Sequence, residues 1–354
     1  MSSSQSTERE FAASAPSNIA VIKYMGKRVG PDGIPAPTNS SLSLTLPGFR
    51  THVRVSELKE QPSGVISWAP FRGAGLKAPE LSDAGKAKFV DHTKRSFESL
   101  GFKPKTGILI ESANDFPSDC GLASSASSFA ALTLGVAGFC GQAIEEQGVR
   151  LRLAEISRQG SGSSCRSFFE PWCQWSDQGV SAVQGLPDFS SLFHVAIVVD
   201  DSKKRVSSSE AHKRVASSLL FQGRPERAEQ RLRLVLDCLR RVGGQDGVSA
   251  WNRAANLIWA ESWDMHALFE TSEVPFGYFT AESQRVLSLI RDIASKHAAT
   301  LADFRIPIVT MDAGPNVHLI FWTEGGGAAQ SAAFLDELKT SVRSFARLIE
   351  GALG

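Results

Sequence analysis

The sequence predicts an α+β protein of two packed domains, and three observations carry that expectation. The chain has 354 residues, 42% of them hydrophobic, which is enough to bury two cores. Short apolar runs of strand character lie between longer stretches with helical periodicity. A dense apolar run at 193–199 opens a second series of such elements, so a boundary falls just before it: a flexible polar tail at 1–14, an N-terminal domain at 15–190 and a C-terminal domain at 191–354.

The first ten residues are Ser-rich and carry no apolar run, so no signal peptide is expected. Residues 19–22 suit a strand that ends in Lys23-Tyr24-Met25-Gly26-Lys27-Arg28. Three cations and a phenol there could reach an anionic substrate, or could simply form a solvated strand end. After the turn-rich stretch 30–39, residues 40–46 alternate hydroxyl and leucine, the period-two signature of a strand with one buried face. Val53, Val55 and Leu58, then Ile66 and Trp68, fit further strands around the Pro62-Ser63-Gly64 loop. Residues 81–100 read as an amphipathic helix with Phe89, Val90, Phe97 and Leu100 inward, and 107–111 as the strand that follows.

That strand leads into Pro117, Gly121, Leu122 and Ala123, then Ser124, Ser125 and Ser127, at the start of an alanine-rich buried helix. Small residues at a helix start leave several N–H groups pointing outward beside a partial positive charge, which suits phosphate. An ordinary capped helix explains the same residues. No Lys follows the glycine at Walker A spacing, so a cation for ATP must come from elsewhere.

Residues 144–158 predict another helix, closed by 159–167, which contains Ser161, Gly162, Ser163, Ser164 and Arg166. A linker would also be Gly/Ser-rich, but this one runs directly into Phe168, Phe169, Trp172 and Trp175, which favours a binding loop with a guanidinium fork. The 193–199 strand is followed by Lys203, Lys204 and Arg205 and three serines, 207–209. Leu232, Val235, Leu236 and Leu239 mark a helix whose Arg-rich face, interleaved with Glu226 and Glu229, is expected in solvent. Helices at 251–269 and 281–297 follow, then strands at 306–311 and 317–322 joined by Asp312-Ala313-Gly314-Pro315-Asn316. Asp312 thus sits at the mouth of a hairpin, where turn formation competes with catalysis as its reason. A last amphipathic helix is expected at 328–349.

A net charge of +1 provides no footprint for nucleic acid or membrane lipid, so an anion site must be local. Five scattered cysteines without a C-x-x-C pair read as reduced thiols of a cytoplasmic protein. No run of 18 apolar residues occurs, and the seven histidines are dispersed, without ligand-spaced partners.

Five separated stretches together resemble diphosphomevalonate decarboxylase, a branch of the small-molecule kinase superfamily that includes galactokinase, homoserine kinase, mevalonate kinase and phosphomevalonate kinase. They are 15–27 (A-P-S-N-I-A-V-I-K-Y-M-G-K), 38–46 (T-N-S-S-L-S-L-T-L), 121–127 (G-L-A-S-S-A-S), 160–167 (G-S-G-S-S-C-R-S) and 311–316 (M-D-A-G-P-N). The resemblance implies a ribosomal-protein-S5-like N-terminal domain, a ferredoxin-like C-terminal α/β sandwich and an active site in the cleft between them. It implies ATP and Mg²⁺ as cofactors, with no metal site fixed by protein alone, mevalonate 5-diphosphate as the small-molecule partner, and a homodimer. Carried across by position, it places catalysis on Asp312, Lys23 and Arg166. Substrate contacts fall on Tyr24, Lys27, Asn18, Ser161, Gly162, Ser163, Ser164 and Ser208, and ATP contacts on Pro117, Gly121, Leu122, Ala123, Ser124, Ser125, Ser127 and Lys203.

The chemistry needs such a set. A tertiary alcohol is a weak nucleophile, so a carboxylate in hydrogen-bond reach orients and deprotonates it. An unpaired negative group would also stabilise positive charge developing at carbon 3, while Arg166 clamps the substrate carboxylate and Lys23 and Lys27 balance the diphosphate. Departures from the family pattern are Met25 for a tryptophan, Asp119-Cys120 for two small apolar residues, Glu170-Pro171 for a glycine pair, Ala211-His212 for Gly-Met, and the altered 271–279 segment. They keep open a phosphomevalonate decarboxylase, a mevalonate 3-kinase and an inactive nucleotide-binding regulator.

Overall fold

The structure is a computed structural model that describes residues 9–30, 34–73, 75–77, 81–116, 124–200, 202, 205–351 and 353. In chain order the elements are β1 (Glu10–Ile22), β2 (Lys27–Val29), β3 (Pro35–Pro37), β4 (Ser41–Pro62), β5 (Ile66–Pro70), α1 (Asp83–Ser99), β6 (Thr106–Asn114), α2 (Ser124–Phe139), α3 (Gln147–Ser157), β7 (Trp172–Ser176), β8 (Gly179–Ala182) and β9 (Leu192–Val198). There follow α4 (Ser208–Arg214), α5 (Arg224–Arg240), α6 (Gly247–Glu270), α7 (Ala281–Thr300), β10 (Ile308–Thr310), β11 (Val317–Trp322), α8 (Gly327–Val342) and β12 (Arg347–Gly351). The chain is a mixed α+β fold that divides into two compact units. One comprises the described residues of Met1–Ser17, Phe49–Pro117 and Ser124–Phe168; the other those of Asn18–Gly48, Ser118–Ala123 and Phe169–Gly354.

β1 begins at Glu10, so residues 10–14 are strand and not the expected tail. The separate strands expected at 40–46 and near 53–58 are one, β4. Its alternation predicted a single buried face, yet Ser41, Ser43 and Thr45 are as buried as the leucines between them. A buried hydroxyl needs a partner, and the Thr45 N–H and hydroxyl both donate to the Pro171 carbonyl, at 2.9 and 3.1 Å.

In the first unit, residues 51–58 of β4 pair antiparallel with β6, which pairs in parallel with β5. From Ala126 to Phe139 every residue of α2 but Ser128 and Gly138 is buried, and Ser82 caps α1 by accepting from the Gly85 N–H. His92 of α1 is buried and lies 2.9 Å from the Thr133 hydroxyl of α2. Burial and the nearby Arg95 push its pKa down to about 3, so it stays neutral.

In the second unit, β10, β11, β9 and β12 form an antiparallel sheet in that order. Alternate residues Val195, Ile197, Val317, Leu319 and Phe321 pack with Ile290 of α7 and Phe334 and Leu338 of α8. The opposite face holds His194 and His318, fully buried with Nε2 and Nδ1 2.9 Å apart, so the histidines are not all dispersed as expected. The final helix stops at Val342, not 349, because residues 347–351 instead pair with β9. The arginine face of α5 is solvated only in part: Arg233 and Arg240 are exposed, but others are not. Arg224, Arg227 and Arg231 meet Glu261 and Asp264 of α6, a long-range set of ion pairs that no local spacing announces.

Phe334 is fully buried, its ring 5.8 Å from Phe321 and 6.3 Å from Phe304. Phe334→Ala is expected to cost about 3–5 kcal/mol, read as a lower urea midpoint with unchanged cooperativity.

Candidate active site

The end of β1 and the end of β10 deliver Lys23 and Asp312 to one place. Lys23 Nζ lies 2.7 Å from Asp312 Oδ1; the lysine side chain is 1% exposed and the aspartate 27%. One expectation is corrected here: Asp312 is not unpaired, because the Lys23 ammonium lies against it. A buried ammonium requires a counter-charge, and Asp312 supplies it. The pair points one way, lysine inside and carboxylate toward the surface.

The main chain on both sides is held. Thr310 Oγ1 donates to the Ala20 carbonyl at 2.9 Å, tying β10 to β1, and the Met311 N–H donates to Ser262 Oγ at 3.2 Å. The Lys23 N–H donates to Glu261 Oε1 at 3.0 Å, while Asn39 Nδ2 donates to the Lys23 carbonyl at 2.9 Å. Glu261 and Arg224 are both fully buried; Arg224 donates to both Glu261 oxygens, and Arg231 adds a third donor at 3.0 Å. In the adjoining Asp264, burial pushes the carboxyl up, but hydrogen bonds from Arg227 and Arg231 and the charge of Arg224 outweigh it and hold it at about 2. His266 is buried close behind the pair. Desolvation first, then the Lys23 charge, lowers it to about 3 against the opposing pull of Asp312.

Tyr24 is buried between Trp175 and His212, with ring centroids at 4.7 and 4.5 Å. His212 Nδ1 accepts from the Gly26 N–H at 3.0 Å. Gly26 has φ 98°, and a Cβ there would lie 2.6 Å from the Phe221 ring, so this turn admits only glycine. Met25 fills an apolar cluster with Met265, Phe269 and Phe276. Of the other cations at this strand end, Arg28 pairs with Asp177 at 2.6 Å and Lys27 is exposed on β2. Asn18 is buried, and Ser208 opens α4, which Ser207 caps.

Residues 161–167 belong to the first unit, in a 3-10 turn, Gly162–Ser167, packed against α2 and α3. Arg166 is 3% exposed, and Ser161 and Ser163 are half-buried with hydroxyls 3.3 Å apart. Ser164 points inward: its hydroxyl lies 2.6 Å from that of Ser157 and donates to the Ser161 carbonyl, so it braces the turn. Ser127 also points inward, with its hydroxyl 2.7 Å from Thr51 Oγ1 inside the unit. Ser124 and Ser125 stand at the first turn of α2. Pro117, Gly121, Leu122, Ala123 and Lys203 lie outside the described residues. Gly160 has no room for a side chain; a Cβ would lie 2.3 Å from the Phe129 ring and 2.8 Å from His92 Nδ1.

Residues 15–183 match the family described as diphosphomevalonate decarboxylase-like N-terminal domain, and residues 194–344 match mevalonate 5-diphosphate decarboxylase C-terminal domain. The chain belongs to the diphosphomevalonate decarboxylase family. It is 30% identical to the diphosphomevalonate decarboxylase of Candida albicans over 333 residues, covering 88% of this chain and 83% of that one. The crystal structure of a mevalonate diphosphate decarboxylase from Legionella pneumophila is 35% identical, with TM-score 0.79, 96% of this chain and 100% of that chain covered. A structure described as MDDEF in complex with MVAPP, AMPPCP and magnesium is 25% identical, with TM-score 0.76 and 98% of each chain covered.

Among the described residues no group of three or more His, Cys, Asp or Glu is placed to hold a metal ion. A cavity of about 790 Å³ lined by Asp246, Asn252, Arg253 and Asp303 contains none of the expected site residues. No helix among the described residues is long and apolar enough to cross a membrane.

His92 and His266 bind protons near 6.5 when unfolded and near 3 when folded. The unfolded chain therefore holds more protons in that window, and stability, complete above pH 6.5, falls as pH drops toward 3 by up to about 1.4 kcal/mol per pH unit for each group. His92→Gln is expected to flatten this decline in urea midpoints measured from pH 7 to pH 4.

Proposed function

We propose that this chain carries out ATP-dependent decarboxylation of mevalonate 5-diphosphate to isopentenyl diphosphate, releasing ADP, phosphate and carbon dioxide. The observation that carries the reading is the Lys23–Asp312 pair, with its ammonium inside and its carboxylate toward the surface. Family membership and the neighbour described with MVAPP, AMPPCP and magnesium support it.

In the first step Asp312 hydrogen-bonds the tertiary 3-hydroxyl and takes its proton as the γ-phosphoryl group transfers to that oxygen, leaving ADP. Lys23 fixes the carboxylate in direction. The C–O bond to the new phosphate then breaks with its electron pair leaving on phosphate. The electrons of the C–CO₂⁻ bond form the alkene, and carbon dioxide departs. Neutralised by Lys23, Asp312 gives little net negative potential, so its part is orientation and proton acceptance. Arg166 is proposed to clamp the substrate carboxylate, with Ser161, Gly162 and Ser163 beside it and Tyr24, Lys27, Asn18 and Ser208 as further substrate contacts. ATP phosphates are proposed at 117–127 and Lys203, and magnesium supplies charge neutralisation on them. The matched segments 15–183 and 194–344 support functional domains at 15–190 and 191–354. The free thiols of Cys140, Cys165, Cys173 and Cys238 support a cytoplasmic setting, and a homodimer completes the proposal.

The test is incubation with ATP and mevalonate 5-diphosphate, or the 5-monophosphate, scoring ADP and carbon dioxide separately. Equal release from the diphosphate is expected; ADP without the gas means a kinase, and neither product means a regulator. Asp312→Asn is expected to lower kcat by about a thousandfold or more with ATP affinity within about threefold.

A further inference from the structure

α6 holds the main chain on both sides of the reacting pair. Glu261 accepts from the Lys23 N–H at 3.0 Å, and its neighbour Ser262 accepts from the Met311 N–H at 3.2 Å, one residue before Asp312. Arg224 bonds both oxygens of Glu261 and also reaches the Lys23 carbonyl at 3.4 Å, where Asn39 Nδ2 already donates at 2.9 Å. Lys23 is therefore clamped at its N–H and its C=O, which leaves only side-chain torsions to place the ammonium on Asp312.

Burial sharpens the point. Glu261 and Arg224 are 0% exposed, and a carboxylate so placed is stable only while its arginines hold it, so it has one orientation. Arg231 bridges Glu261 to Asp264, which Arg227 also holds. The helix pair is thereby locked in register, and consecutive residues of one helix fix the spacing of two distant strand ends.

We infer that Glu261, oriented by Arg224, is a positioning residue that sets the Lys23 ammonium on Asp312 through the Lys23 main chain, with Ser262 doing the same from the Asp312 side. The role deepens the proposed reaction and rests on its reading of Lys23–Asp312 as the reacting centre, but the geometry of the pair can be measured without turnover. A register fixed to fractions of an ångström is what efficient proton and phosphoryl transfer demand.

The experiment uses the full chain as Glu261→Gln and Ser262→Ala, with two readouts: steady-state kinetics, and acylation of Lys23 by an N-hydroxysuccinimide ester followed by peptide mass mapping. In Glu261→Gln, kcat is expected to fall at least tenfold with the KM for ATP within twofold. Lys23 should label at least tenfold faster relative to exposed Lys27, while the buried Cys173 and Cys238 thiols stay unreactive. Ser262→Ala should lower kcat three- to tenfold at a near wild-type melting temperature. Wild-type kcat and wild-type Lys23 protection in a folded Glu261→Gln protein would overturn the assignment, whatever its melting temperature. If Glu261→Gln does not fold, the same two readouts on Ser262→Ala decide. If the wild-type protein releases neither ADP nor carbon dioxide, the proposed reaction fails, and Lys23 protection unchanged by both substitutions still sinks the positioning role.

Discussion

Burying an ammonium without a counter-charge is prohibitive, and much of the second unit is arranged around that constraint at Lys23. Asp312 answers it, but only because the turn after β10 arrives at the right height, which Thr310 and Met311 secure through bonds to β1 and α6. Beneath lies a second charge problem of the same kind, Arg224 against Glu261, solved by fork geometry and by Arg231. Such pairs add little net stability compared with a hydrophobic filling, since desolvation offsets most of the attraction. Their value is directional: a carboxylate gripped by three donors cannot turn, and what it grips in turn cannot drift.

The strand ends that carry this site were legible in the sequence. Apolar runs at 19–22 and 306–311, each followed by an abrupt polar residue, marked Lys23 and Asp312 as groups delivered by buried strands. Their pairing was not legible, because nothing local relates two residues 289 apart. The α5 arginines failed for the same reason. Glu226 and Glu229 on the same helix suggested a solvated face, whereas the partners lie 30 to 37 residues further on. A signal was present at Glu261: it interrupts the apolar repeat of Ala254, Ile258, Met265 and Leu268, and a carboxylate on a core-facing stripe implies a buried counter-ion.

Hydroxyl groups were the other source of error. A serine both donates and accepts, so it suits a ligand and a neighbouring main chain equally, and sequence gives no direction for it. Ser127 and Ser164 turned inward, and the hydroxyl face of β4 is buried against protein and not water. Alternation correctly announced a strand there. It could not announce that both faces would be covered.

The strand β12 closes the chain against β9, with Gly351 opposite His194 and Arg347 opposite Val198. Without it, β9 would present a bare row of amide and carbonyl groups flanked by Phe193, Val195 and Ile197, a surface on which another polypeptide could readily add itself. β12 is thus a cover for the β9 edge, and trimming the polypeptide after α8 would trade a paired edge for a sticky one.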